Sequence, residues 1–122
     1  MRIIIYGAND IGCLLAVNLF EDHDVTVVDK EENRLEDFDK LDISFVYGSG
    51  TNASVLENAQ IKDSDIFIAC TNNDEKNLVA CYAAKRLSQV KTVCDQYRTA
   101  HYQGSYNRLQ TALNQRTECR YQ

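Results

Sequence analysis

The chain has 122 residues, 44% of them hydrophobic and 25% charged, which is the composition of an ordinary globular domain with a single core. Its 13 basic and 18 acidic residues leave a net charge of −5, which argues against nucleic acid or an anionic membrane surface as a partner. No stretch approaches the roughly 18 apolar residues that span a bilayer, and no basic, apolar leader opens the chain, so a cytoplasmic protein without membrane insertion is expected.

The first element is a strand over 2–6, where Ile3, Ile4, Ile5 and Tyr6 form the continuous apolar run of a strand buried on both faces. It runs directly into Gly7-Ala8-Asn9-Asp10-Ile11-Gly12, two of whose residues match the glycines of the G-x-G-x-x-G phosphate-binding turn. Gly7 suits the tight turn and Gly12 a close helix–strand approach. Asn9 stands where the middle glycine would be. Asparagine tolerates a left-handed backbone, and its side chain would either narrow the phosphate site or hydrogen-bond into it. A helix over 11–21 follows, carrying Ile11, Leu14, Leu15 and Leu19 at helical spacing.

The second strand, 24–29, ends at Asp29, twenty-two positions after Gly7. That spacing suits a carboxylate that accepts hydrogen bonds from an adenosine ribose, and it disfavours a 2′-phosphate, so NAD(H) is expected over NADP(H). The alternative role for Asp29 is to cap the following helix, expected over 31–40. A third strand over 43–47, a short helix over 52–59, a strand over 65–70, a helix over 74–88 and a strand over 90–94 complete the alternation. Such alternation predicts an α/β fold: a Rossmann-like, doubly wound parallel sheet, order 3-2-1-4-5, with helices on both faces and a ligand across the carboxyl ends of strands 1 and 4.

Residues 1–94 are therefore read as the nucleotide-binding domain and 95–122 as a separate tail. In that tail, Tyr102, Tyr106, Leu109 and Leu113 make a weak helical stripe. Two readings stand side by side: an amphipathic helix packed on the sheet or in a dimer, or a loosely held end. The five cysteines lack C-x-x-C spacing and read as reduced thiols, and the two histidines lie at no ligand spacing, so no metal site is expected. Cys70, at the end of the fourth strand, is a conceivable nucleophile but reads better as a small buried hydrophobe.

After that strand comes Thr71-Asn72-Asn73-Asp74-Glu75-Lys76-Asn77, whose acids suit a helix N-terminus. Together with the glycine turn, Asp29 and the Gly48-Ser49-Gly50-Thr51 turn, it resembles the N-terminal lobe of TrkA-type potassium-transport regulators, the RCK or KTN domain. That family reads G-x-G-x-x-G, an acid ending strand two, G-[DSH]-[GA]-[ST], then A-x-T-x-x-D-E-x-N, here Ala69, Thr71, Asp74, Glu75 and Asn77.

The resemblance implies a cytosolic regulatory module without hydride transfer. It would bind NAD or NADH, or in some relatives ATP or ADP, and control a membrane-embedded potassium transporter subunit as a homodimer or ring. It also implies site roles. Gly7, Asn9, Asp10, Ile11 and Gly12 would surround the pyrophosphate, with Asp10 and Ile11 acting through backbone N–H groups. Asp29 and Lys30 would hold the ribose, Ser49 and Gly50 would lie beside the adenine, and Thr71 and Asn77 would face the second half of the nucleotide. Two other classes compete with this reading: a small NAD-dependent oxidoreductase, which turnover of nicotinamide would reveal, and an interaction domain without a ligand, which failure of every adenine nucleotide to bind would favour.

Overall fold

A computed structural model describes residues 1–31, 38 and 41–94. The expected tail 95–122 and, apart from Glu31 and Phe38, the expected helix 31–40 lie outside the described residues.

Five strands form one parallel sheet: β1 (Arg2–Tyr6), β2 (Asp24–Asp29), β3 (Ile43–Tyr47), β4 (Ile66–Ala69) and β5 (Lys91–Cys94). Their order is β3-β2-β1-β4-β5, as the alternating pattern predicts. The strand order reverses beside β1, which pairs with β2 on one side and with β4 on the other. Each crossover carries its helix where described: α1 (Asp10–Leu19), α2 (Ala53–Asn58) and α3 (Asp74–Leu87).

The period-two alternation of strand side chains divides the core into two layers. Ile3, Ile5, Val25, Val27, Ile66 and Ile68 face Ile11, Leu15 and Phe38 on one side of the sheet. On the other side, Ile4, Tyr6, Val28 and Phe67 face Leu56, Ile61, Ala80 and Ala84. Both layers require β1 to be apolar from Ile3 to Tyr6, and Ile3, Ile4 and Ile5 are fully buried. Burying each of these side chains contributes about 1.5–3 kcal/mol.

Asparagines begin α1, α2 and α3. Asn9 Oδ1 accepts from Gly12 N–H at 3.0 Å, Asn52 Oδ1 from Ser54 N–H at 2.9 Å, and Asn73 Oδ1 from Lys76 N–H at 3.0 Å. A side-chain cap of this kind contributes about 1 kcal/mol. Helix α1 stops short of the expected residue 21, because the Asp22 and His23 N–H groups both turn back to the Leu19 carbonyl. A 3₁₀ turn at Ile61–Asp63, absent from the sequence expectation, follows Gln60, whose backbone is left-handed at φ 65°. The Gln60 side chain receives a hydrogen bond from the Arg2 guanidinium.

Candidate functional site

At the carboxyl ends of β1, β2 and β4 lies a cleft of about 400 Å³, at the reversal point of the strand order. Tyr6, Gly7, Ala8 and Asn9 line it from β1 and the following turn. Asp29, Lys30 and Glu31 line it from the end of β2, and Thr71, Asn72, Asn73 and Lys76 from the loop after β4 and the first turn of α3.

The glycine turn is pinned from two directions. Gly7 has φ +123°, a conformation open to glycine but strained for other residues, and its N–H bonds to the Val28 carbonyl at 2.9 Å. Ala8 N–H donates to Asp29 Oδ2 at 2.6 Å, and Glu31 N–H donates to Asp29 Oδ1 at 2.8 Å. Each carboxylate oxygen of Asp29 thus already holds one backbone donor. The carboxylate keeps lone pairs for a ligand hydroxyl, and its position is set by the turn it supports.

Asn9 does not take the left-handed backbone considered for it. Its φ of −81° and ψ of −172° are extended, because its side chain serves as the α1 cap and this geometry aims Oδ1 at Gly12 N–H. The amide nitrogen reaches the other way and donates to the Cys70 carbonyl at 2.6 Å. Asn9 therefore ties the turn to the end of β4 rather than leaving the open backbone that a glycine would.

Of the residues expected around a pyrophosphate, Gly7 and Asn9 line the cleft, whereas Asp10, Ile11 and Gly12 do not. Ile11 and Gly12 are buried behind the turn, and Asp10 begins α1. Asp29, Lys30 and Thr71 also line it. Ser49 and Gly50 do not line it and pack against Tyr6: Ser49 Oγ lies 3.3 Å from the Tyr6 hydroxyl, and a Cβ on Gly50 would come within 2.6 Å of the Tyr6 ring.

Asn77 is fully buried and turned toward Thr71 rather than lining the cleft. Its Oδ1 accepts from Thr71 N–H at 3.0 Å and from the Thr71 hydroxyl at 2.5 Å, while its Nδ2 donates to the Thr71 carbonyl at 3.0 Å. It shapes the wall that Thr71 presents. Cys70 is likewise buried, with Sγ 3.9 Å from the Gly7 carbonyl, and packs beneath the turn. Burial of Cys81, which α3 turns toward the Val93 carbonyl of β5, pushes its thiol up to about 12, and neighbouring Cys94 adds to the shift.

The sequence reading missed Tyr6, Ala8, Glu31, Asn72, Asn73 and Lys76 as lining residues. Lys76 occupies the unspecified position of D-E-x-N, so no motif draws attention to it. The neighbouring Lys30 side chain and its charge hold Lys76 below the usual lysine range.

An open parallel sheet with a polar cleft at its reversal point defines a Rossmann-like domain of the nucleotide-binding kind. The TrkA-N domain family matches residues 3–113, and the chain belongs to it. It is similar to the Trk system potassium uptake protein TrkA of Halomonas elongata, 41% identical over 104 residues, covering 84% of this chain and 23% of that protein. The Trk system potassium uptake protein TrkA homolog of Archaeoglobus fulgidus is 40% identical over 87 residues, covering 71% of this chain and 20% of that protein. The chain thus spans about a fifth of the length of these curated relatives. Among solved structures, the GsuK channel bound to NAD superposes with a TM-score of 0.65 at 26% identity, covering 75% of this chain and 17% of that one.

Proposed function

We propose that this chain is the adenine-nucleotide-sensing lobe of a potassium uptake regulator, acting without catalysis on a membrane-embedded potassium transporter subunit. The candidate ligands are NAD(H), ADP and ATP. The observation that carries the reading is the cleft itself, where Asp29 stands at the reversal point and is tied to both the glycine turn and the end of β2. Relatives named for potassium uptake support the transport role, and a GsuK channel bound to NAD supports a nucleotide as the ligand.

Regulation requires that the nucleotide bind one arrangement of domains more tightly than another. A coupling of about 1–3 kcal/mol gives roughly 5–150-fold control, so a handful of ligand contacts that differ between two arrangements is enough. A homodimer or ring, placed at the cytoplasmic face by its membrane partner, supplies those arrangements.

Calorimetric titration with NADH, NAD⁺, ADP and ATP tests the site. Micromolar binding of at least one nucleotide is expected. Asp29→Ala is expected to weaken it about tenfold or more, because a charge-assisted hydrogen bond contributes about 1.5–3 kcal/mol and the substitution also releases the Ala8 and Glu31 N–H groups. Circular dichroism of the variant separates loss of the site from loss of the fold. Unchanged affinity would remove Asp29 from the site.

A further inference from the structure

The cysteines among the described residues are thiols, and they divide between the two layers of the core. Cys70 belongs to one layer and Cys13 packs against it, whereas Cys81 of α3 belongs to the other. The sheet register assigns Cys94 to the Cys81 layer. β4 and β5 pair Ile68 with Val93 and Ala69 with Cys94. Ile68 and Val93 pack on the Cys70 side of the sheet, and Ala69 packs on the Cys81 side. Side chains alternate along a strand, so Cys94 leaves β5 toward α3.

α3 meets it there. Cys81 Sγ lies 3.8 Å from the Val93 carbonyl oxygen, in the peptide group that joins Val93 to Cys94. Standard backbone dimensions then put the Cys94 Cα within about 7 Å of that sulfur, a gap that the Cys94 side chain partly fills. The two thiols differ in access. Cys81 is buried and its thiol, raised to about 12, stays protonated, whereas Cys94 is exposed on the edge strand. A dissolved oxidant therefore reaches Cys94 first.

We infer that Cys81 and Cys94 are a reversible thiol–disulfide pair that locks α3 to the edge strand β5, with Cys94 as the sulfur that meets a peroxide and Cys81 as the one that resolves it. In the first step the Cys94 thiolate attacks an oxygen of hydrogen peroxide. An S–O bond forms, the O–O bond breaks, and the departing hydroxide takes a proton to become water. The Cys81 sulfur then attacks the Cys94 sulfenic sulfur, so that an S–S bond forms and the S–O bond breaks. The hydroxide that leaves carries off the Cys81 proton as water, and it is the base that the protonated thiol needs. Two thiols have then given two electrons to one peroxide, and a dithiol reductant reverses the change. Cys81 stands one helical turn beyond Asn77, which holds the Thr71 wall of the cleft. The lock thus ties the helix behind that wall to the strand, and it does not depend on which ligand the cleft takes.

The test is peptide mapping of the 122-residue chain after hydrogen peroxide, alkylation of the remaining thiols and trypsin without reductant. Cleavage at Lys76, Lys85, Arg86, Lys91 and Arg98 puts Cys81 and Cys94 in separate peptides, apart from those of Cys13, Cys70 and Cys119. The expected main product is a Cys81 peptide joined to a Cys94 peptide, from protein that runs as a single chain on a non-reducing gel, and it should disappear with dithiothreitol. In Cys94→Ser, which changes one exposed side chain, oxidation of Cys81 should slow about tenfold or more. In Cys81→Ala, Cys94 should stop at a sulfenic acid that a 1,3-diketone probe traps. Cys94 joined instead to Cys119 or to a second chain, Cys94 oxidised past the sulfenic acid while Cys81 stays a thiol, or both thiols surviving excess peroxide would overturn the pair.

Discussion

Gly12→Ala is expected to destabilise the fold by about 4 kcal/mol or more, enough to leave a large unfolded fraction in a domain whose total stability is about 5–15 kcal/mol. A Cβ added at Gly12 would sit 1.7 Å from the Gly7 carbonyl oxygen and 2.9 Å from its carbon. Both are backbone atoms, so no rotamer change relieves the contact. Relief requires moving α1 off the end of β1, and three bonds oppose it: Gly7 N–H to Val28, Ala8 N–H to Asp29, and Gly12 N–H to Asn9. Ordinary overpacking of a side chain costs about 1–3 kcal/mol, and a backbone displacement that also breaks a cap and a charge-assisted hydrogen bond costs more. Urea unfolding followed by circular dichroism measures the effect. A stability within about 1 kcal/mol of the parent would mean that the helix can shift cheaply and that Gly12 is not what sets the approach.

The same turn shows what the sequence makes legible. Strand order, the glycine turn and the position of Asp29 were readable because each rests on short-range pattern: a continuous apolar run, a glycine where the chain must bend, an acid at the end of a strand. The two layers of the core also follow from alternation along β1, where Ile3 and Ile5 face one side and Ile4 and Tyr6 the other. What was hidden depends on partners distant in the chain. Asn9 meets Cys70 sixty-one positions away, and nothing near Asn9 signals that its amide will be used there rather than toward a ligand. Lys30 and Lys76 line one cleft only because the sheet brings the ends of β2 and β4 side by side. The resemblance alone places Ser49 and Gly50 beside the adenine, whereas in the structure they pack against Tyr6 and do not line the cleft. Tyr6 itself looked like one more residue of an apolar run.

Asn77 is the clearest case of a motif residue that acts through another. Asn77→Leu, close in volume but without the amide, is expected to cost about 3 kcal/mol in stability. The Thr71 N–H and carbonyl would each lose a partner, and an unsatisfied buried group costs about 1–3 kcal/mol. Thr71→Val removes only the hydroxyl that also bonds to Asn77, so its cost should be nearer 1 kcal/mol. The contrast matters because a residue that touched the nucleotide directly would change affinity with little effect on the unliganded fold. Asn77 is fully buried and holds both backbone groups of Thr71, so its loss should appear first in the apo protein. The expected signs are a lower urea midpoint and faster amide exchange at Thr71 and Asn73, the latter because Asn73 N–H donates to the Thr71 hydroxyl at 3.2 Å. An Asn77→Leu variant as stable as the parent, with slow exchange at Thr71, would show that the loop after β4 is held by other contacts and would overturn the supporting role given to Asn77.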